Sequence, residues 1–350
     1  MKKASFKFYL CAASAIVLAT SLGQASAQTP RANGETLAIQ NYASTTGNMH
    51  AVIAKEKGFC EKYNFKCEMR AINSTSLGLQ ALVGKTIDIT QSGADLVGAA
   101  VVSGAEVVIV GTSMPANILS ISVRNDVPMP SRDKGYPGIM NDFKGKRIGV
   151  SSRGSSSEKY FNAMLKDAGL KPEDVTYVAT GAPSTTYTAL AVGRQVDAAI
   201  MFQPLTQLCQ FNKTCETIID MTTGEGPKSL QATIGANIVF AARKELVEGN
   251  PKLMEAFYAA MTDAADWLHD PSNFDELVRI YTPMISFGEM TGADEMRRNW
   301  IKSVIPAYSK DVKVKVSALQ EVMDFSLENN IIDVKVDAKK VLWEKAPQTP

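Results

Sequence analysis

Two related stretches of this chain decide its fold: QALVGKTIDI at residues 80–89 and ALAVGRQVDA at residues 189–198. In each stretch, a short helical pattern runs into a glycine turn and then into an apolar strand. The copies stand about 110 residues apart, which is too long a spacing for a solenoid repeat. We therefore expect two similar units, one around each copy.

A second repeated pattern precedes each copy. A strand that begins at Leu37 leads through a polar loop into a helical pattern at residues 49–57. A strand at residues 147–150 leads through a serine-rich loop into a helical pattern at residues 158–168. Because strand–helix–strand crossovers join parallel neighbours, each unit is predicted to be a mainly parallel sheet flanked by helices, and the fold class is α/β.

The order of these patterns predicts how the chain is divided between two lobes. Apolar strands at residues 106–111 and 118–123 are expected to close lobe I, and helical patterns fill the chain after Lys244. The last residues are expected to be disordered. The predicted divisions are lobe I (first part) at 34–123, lobe II at 124–231, the return crossing and C-terminal helices packing on lobe I at 232–345, and a tail at 346–350.

The N-terminus has the layout of a secretory signal peptide. Lysines at positions 2, 3 and 7 accompany an apolar run from Phe8 to about Leu22, and Ala25-Ser26-Ala27 forms a small-residue cleavage signal. The run is too short for a permanent membrane anchor. We therefore predict a signal peptide at 1–27 and a soluble, periplasmic mature protein.

Charge and motifs exclude several functions. Removing three lysines with the signal peptide changes the net charge from +1 to about −2, so no basic excess is left for nucleic acid. The sequence has no G-x-S-x-G elbow, no G-x-x-x-x-G-K-[ST] phosphate loop and no H-E-x-x-H zinc motif. We expect a binding protein and not an enzyme, with no cofactor and no metal.

Four cysteines remain after export, and they form two local pairs: Cys60 with Cys67, and Cys209 with Cys215. In an exported protein an even cysteine count suggests disulfides. Three pairings are possible, of which the local one is the simplest. A metal site is the alternative, but it would need tighter spacing or histidine partners, and the chain has only His50 and His269.

Polar loops follow nearly every predicted strand. Ligands of open parallel sheets bind beyond the carboxyl ends of the strands, so six such loops in two lobes predict a cleft lined by hydroxyls, amides and glycines. Any one of these loops could equally be a simple helix cap, as in the Ser155-x-x-Glu158 capping-box pattern. The candidate ligand residues are Ser44, Thr45, Thr46, Asn48, His50, Ser74, Thr75, Ser92, Gly93, Ser152, Gly154, Ser155, Ser156, Ser184, Thr185, Phe202 and Gln203.

Four segments together resemble a known family, and the match runs from about Leu37 to Ala241. They are NMHAVIAKEKGF (48–59), QALVGKTIDI (80–89), FKGKRIGVSS (143–152) and VDAAIMFQP (196–204). The family is the periplasmic substrate-binding proteins of ABC transporters for alkanesulfonates, taurine, nitrate and thiamine pyrimidine precursors. The resemblance implies a two-lobed, type II-like periplasmic binding protein fold with its ligand cleft between the lobes.

The resemblance also implies partners and a ligand. Gly154, Ser155 and Ser156 resemble the loop that holds the anion in the sulfonate and taurine branch, whereas His50 resembles a histidine of the pyrimidine-precursor branch. We therefore expect a monomer that captures a small organic anion, a sulfonate or a carboxylate, for an inner-membrane permease with a cytoplasmic ATPase. A neutral pyrimidine-type precursor as ligand, and a sensory binding module as role, remain the alternatives.

Overall fold

The structure is a computed structural model that describes Met1, residues 29–285 and residues 292–350. Apart from Met1, the predicted signal peptide lies outside the described residues. No helix of the described part of the chain is both long and apolar enough to span a membrane.

Ten strands build the main sheets of the described chain. They are β1 (Thr36–Asn41), β2 (Lys66–Ala71), β3 (Ile89–Gly93), β4 (Val107–Met114), β5 (Leu119–Arg124), β6 (Arg147–Val150), β7 (Thr176–Ala179), β8 (Ala198–Phe202), β9 (Cys215–Asp220) and β10 (Ile238–Arg243).

These strands form two five-stranded sheets with the same internal plan. The first has the order β2-β1-β3-β10-β4 and the second the order β7-β6-β8-β5-β9. In each sheet one strand, β10 or β5, runs antiparallel to both neighbours. That strand is the one with which the chain enters the sheet after crossing from the other. The mainly parallel α/β fold with two sheets is confirmed, and we call the parts built on the two sheets the first and second lobes.

The structure corrects one strand assignment. β5 was expected to close lobe I, but it pairs with β8 and β9 in the second sheet. The first crossing therefore lies at residues 115–118, before the predicted boundary at residue 124. The reason is that β4 and β5 are both buried apolar strands that adjoin in sequence, and burial alone does not indicate to which sheet a strand belongs.

Fourteen helices of the described chain flank the sheets. They are α1 (Met49–Glu56), α2 (Phe59–Lys62), α3 (Thr75–Val83), α4 (Ala94–Val102), α5 (Ser156–Asp167), α6 (Pro183–Tyr187), α7 (Leu205–Asn212), α8 (Lys228–Ala232), α9 (Lys244–Gly249), α10 (Pro251–His269), α11 (Phe274–Tyr281), α12 (Ala293–Val304), α13 (Val316–Glu328) and α14 (Ala338–Val341).

The C-terminal helices pack mainly against the first lobe. α10 lies along α1 with a buried apolar stripe that includes Phe257 and Met261, and α13 lies against α4. α13 also reaches the second lobe, because the ring of Phe325 packs edge-on against Tyr160 at 5.5 Å between centroids. This helix therefore contacts both lobes.

The C-terminal tail is ordered, against expectation. Gln348–Thr349 forms a short strand, β12, that pairs in parallel with β11 (Val314–Lys315). Ala346 is buried in the core of the first lobe. Backbone pairing with a distant segment holds this tail, and no local sequence pattern indicates it.

Each lobe contains one disulfide. Cys60–Cys67 joins α2 to β2, and Cys209–Cys215 joins α7 to β9. The cysteines are therefore paired locally, as the simplest of the three pairings requires.

Candidate ligand site between the lobes

The carboxyl ends of the parallel strands of both lobes face one cavity. Its inner chamber has a volume of about 60 Å³. On one side it is bounded by β3, the end of β4, the segments that follow β1 and β2, and the start of β10, and on the other by the start of β5, the segment that follows β6, and the end of β8. The residues that line it are Tyr42, Gly47, Thr75, Gln91, Met114, Ile118, Leu119, Ser151, Ser156, Ser157, Tyr160, Phe202, Asn237 and Ile238.

A second, outer chamber of about 190 Å³ adjoins the first, because Gly47, Met114, Ile118 and Phe202 line both. Thr46, Asn117 and Gln203 add polar groups to it. Two larger depressions, of about 510 and 360 Å³, lie at the opposite end of the first sheet, around Val107 at the start of β4 and Lys244 just after β10. Their described lining belongs to the first lobe and the C-terminal segments alone, whereas both lobes line the paired chambers.

Aromatic rings form much of the inner wall. Tyr42 and Phe202 come from different lobes and meet edge-on, with 6.2 Å between ring centroids. The Tyr42 hydroxyl donates to the carbonyl of Gln91 at 2.6 Å, and burial raises the pKa of Tyr42 well above its usual value. The wall is therefore apolar with neutral hydrogen-bonding groups set into it.

Hydrogen bonds cross the cleft beside the inner chamber. The hydroxyl of Ser152 in the second lobe lies 2.9 Å from those of both Ser74 and Ser76 in the first. Nearby, the Ser156 hydroxyl donates to Oδ1 of Asp95 at 3.0 Å. These contacts hold the two lobes together around the cavity.

The start of α5 provides the polar end of the chamber. Ser156 and Ser157 stand in its first turn, where backbone N–H groups have no partner inside the helix. The predicted capping box does not form, because the Ser155 hydroxyl donates to the carbonyl of Ser152 and Glu158 accepts from the N–H of Gly154. Arg153 is paired with Glu158 and is exposed, and it is not among the residues that line the chambers.

Asp95 provides a buried carboxyl group beside Ser156 at the start of α5. It stands in the first turn of α4, and its Oδ2 has no hydrogen-bond partner among the described residues. Burial raises the pKa of Asp95 to about 6, against the opposing effect of the Ser156 hydrogen bond. Sequence reasoning did not single out this residue, because an acid in a first helical turn is common.

Five of the predicted ligand residues line the chambers: Thr46, Thr75, Ser156, Phe202 and Gln203. Four others lie next to them without lining them. Ser74 and Ser152 bridge the lobes, Ser92 donates weakly to the carbonyl of Thr75, and Gly93 passes close to Ser156.

The remaining predicted residues lie elsewhere. Ser44 and Thr45 border a separate depression beside Glu56. Gly154, Ser184 and Thr185 are exposed and line neither chamber. Ser155 is buried, and its hydroxyl donates to the carbonyl of Ser152 in its own loop.

His50 and Asn48 were expected at the cleft, and the structure corrects both. The His50 ring is fully buried against Tyr308, with one ring nitrogen (Nε2) 2.9 Å from the carbonyl of Ser309. Burial lowers the pKa of His50 to about 4. Asn48 is also buried, and its amide donates to the carbonyl of Gln40. Tyr308 and Ser309, from the C-terminal part of the chain, pack over the start of α1. The sequence around His50 could not indicate a contact with residues so far along the chain.

Other lining residues were missed, among them Tyr42, Met114, Tyr160 and Asn237. Tyr42 directly follows β1, so its position after a strand was a usable signal. Asn237 stands immediately before the crossing strand β10 and could be placed only once the topology was known.

This architecture is the periplasmic binding protein fold: two sheets flanked by helices, with a cavity at the facing strand ends. The chain belongs to the NMT1/THI5-like family, whose model matches residues 46–273. A Brucella abortus (strain 2308) protein named "Putative binding protein" is 27% identical over 223 residues, which is 63% of this chain and 63% of that protein. The match thus spans less than two thirds of the relative's length.

Solved structures share the fold. The alkanesulfonate-binding protein SsuA from Xanthomonas axonopodis pv. citri, bound to MOPS, superposes with a TM-score of 0.68 at 16% identity, over 91% of this chain and 100% of that one. A mutant of DszB in complex with biphenyl-2-sulfinic acid gives 0.54 at 18% identity, over 90% and 97%. DszB is an enzyme, so the fold alone does not decide between binding and catalysis.

Proposed function

We propose that this protein is the exported solute-binding component of an ABC importer, which captures a small molecule between its two lobes. The observation that carries the proposal is the cavity that both lobes line, beside which Ser152 and Ser156 hydrogen-bond across to the first lobe. A cavity built in this way encloses a ligand when the lobes close. The chamber volumes limit the ligand to a small molecule.

The composition of the lining supports binding and not catalysis. The described residues that line the two chambers include no histidine, cysteine, lysine, arginine or carboxylate. The phenols of Tyr42 and Tyr308 have raised pKa values because they are buried, so they stay protonated. Such a lining holds a ligand by shape and hydrogen bonds and has no evident proton-transfer group.

Two ligand classes have structural support. A small organic anion, sulfonate or carboxylate, is supported by Ser156 and Ser157 in the first turn of α5, since helix starts attract negative charge. An uncharged ligand with an apolar or aromatic body is supported by the rings of Tyr42 and Phe202 and by the absence of lysine and arginine from the described lining. We favour the uncharged ligand, of which a pyrimidine-type precursor is one example.

The proposed setting is the periplasm, with a permease and an ATPase as partner system. The family, the fold and the N-terminal sequence support this setting. A monomer suffices, because the cavity is complete within one chain. A sensory module read by a receptor would use the same cavity, and stimulation of the permease-bound ATPase by the loaded protein would distinguish the two roles.

A thermal-shift screen followed by scattering tests the proposal. The screen should contain sulfonates, carboxylates, nitrate and uncharged pyrimidines, and at least one compound should raise the melting temperature. With that compound at saturation, small-angle scattering should show a smaller radius of gyration than the free protein. No stabilising compound, or an unchanged radius at saturation, would contradict solute capture by lobe closure.

A further inference from the structure

Asp95 and Ser156 bring the two lobes into close polar contact at the cavity. Asp95 begins α4 in the first lobe, Ser156 begins α5 in the second, and their oxygen atoms lie 3.0 Å apart. Both side chains are buried. The second carboxylate oxygen of Asp95 has no partner among the described residues.

Gly93 makes this contact possible. A Cβ atom at position 93 would lie 2.2 Å from Oδ1 of Asp95 and 2.5 Å from the hydroxyl of Ser156. Any larger residue would therefore displace one of the two partners. Backbone and side chains of both lobes are thus arranged to place this carboxyl against the start of α5.

The start of α5 is the position where a negatively charged ligand group would otherwise be stabilised. Its first-turn N–H groups and the positive end of the helix dipole favour an anion there. The protein's own carboxyl already occupies that neighbourhood. A second negative charge beside it would be repelled. Lys159 of α5 acts on Asp95 electrostatically but does not line the chambers, and the described lining has no lysine or arginine that could pair with a ligand's charge.

We propose that Asp95 is a specificity-determining residue, which places the protein's own carboxylate at the start of α5 and thereby excludes ligands that carry a negative charge there. This inference rests on the proposed solute-binding function and specifies which solutes the site rejects. Ser156 positions the carboxyl by donating a hydrogen bond to it.

Calorimetry with matched charged and uncharged probes tests the inference. The probes are nitrate, methanesulfonate, benzenesulfonate and benzoate, with benzenesulfonamide and benzamide as uncharged counterparts. They are titrated at about pH 8, where a carboxyl at this position is ionised. Asp95→Asn keeps an acceptor for Ser156 and removes the charge, so it should bind at least one of the anions about tenfold or more tightly than the parent does.

Three further variants separate charge from other causes. Asp95→Ser repeats the test if the asparagine variant folds poorly, as judged by circular dichroism. Ser156→Ala removes the hydrogen bond and keeps the charge, so it should gain no anion binding. Asp333→Asn removes an exposed carboxyl after α13 and should behave like the parent.

Two results would overturn the inference. One is a parent protein that binds the anions as tightly as Asp95→Asn does. The other is the failure of both position-95 variants, correctly folded, to bind any anion, since the carboxylate would then not be what excludes them. Either result leaves solute binding itself intact, because the thermal-shift screen and the scattering experiment test that function with the parent protein alone.

Discussion

Two loops occupy equivalent places in the two lobes, yet they are held in different ways. Residues 42–48 follow β1 and lead into α1, and residues 151–155 follow β6 and lead into α5. The first loop is covered by the C-terminal segment, where the Tyr308 hydroxyl donates to the carbonyl of Thr46. Tyr42, Thr46 and Gly47 of the first loop nevertheless line the chambers. Of the second loop only Ser151 lines them, together with Ser156 and Ser157 of the following helical turn, and no segment from the C-terminal part of the chain is hydrogen-bonded to it among the described residues. Equal positions in the topology therefore do not imply that the two loops are held in the same way.

The largest expected effect is a loss of stability when the contact that covers the first loop is removed. Tyr308→Ala removes a fully buried ring from beneath the first loop and should lower the free energy of unfolding by about 3–5 kcal/mol. Tyr308→Phe, which keeps the ring, should lose much less. Urea unfolding followed by circular dichroism measures both. An alanine variant as stable as the parent would show that the Tyr308 ring does not stabilise the first loop.

The pH dependence of stability should carry opposite contributions from His50 and Asp95. The pKa of His50 is lowered to about 4 by burial, so its unfolded form binds the proton first and stability is lost as the pH falls below about 6.5. The pKa of Asp95 is raised to about 6 by burial, so its contribution is present below pH about 4 and is lost as the pH rises through 6. Lys159 and Tyr160 of α5 are the neighbouring titratable groups.

Each contribution amounts to at most about 3 kcal/mol across its window. Relative to the parent, His50→Gln should therefore gain stability as the pH falls from about 6.5 to about 4. Asp95→Asn should gain relative stability in the other direction, as the pH rises from about 4 to about 6. Unfolding free energies measured across this range check both slopes. Parallel curves for parent and variant would show that the substituted group does not titrate as described.

The disulfides of the two lobes are expected to contribute equally to stability. Cys60–Cys67 and Cys209–Cys215 close loops of similar length, with sequence separations of 7 and 6. Replacing either pair by alanine should lower the unfolding free energy by about 2 kcal/mol. The two losses should be similar, because disulfides that close loops of similar length restrict the unfolded chain to a similar extent. Ligand affinity should be retained, since neither pair lines the chambers. Loss of binding in one variant alone would indicate that its lobe is reorganised.

The smallest expected effect in free energy concerns ligand affinity. Phe202→Ala removes the ring that lines both chambers, and it should weaken binding of the screened ligand by about tenfold, or about 1.4 kcal/mol. Phe211→Ala, at an exposed ring on α7, is the matched control and should bind like the parent. Equal affinities for all three proteins would remove Phe202 from the site.

Sequence reasoning could predict the repeated units because each lobe repeats a local pattern of strand, polar loop, helix and glycine turn. It also indicated the end of each sheet at which the cavity lies, because crossover helices join parallel strands, whose carboxyl ends meet at the same end of the sheet. It could not predict that β5 crosses to the second sheet or that residues 348–349 pair with β11, because both depend on partners far away in sequence. His50 was misplaced for the same reason, since its neighbour Tyr308 lies 258 residues further along the chain.

A crystal structure of the protein with the ligand found by the screen tests the central claim most directly. We predict that the ligand lies between the lobes, with its body against Tyr42 and Phe202, an uncharged polar group near Ser156 and His50 untouched. A ligand bound within one lobe alone, such as in the depression beside Lys85 and Glu245, would contradict the account.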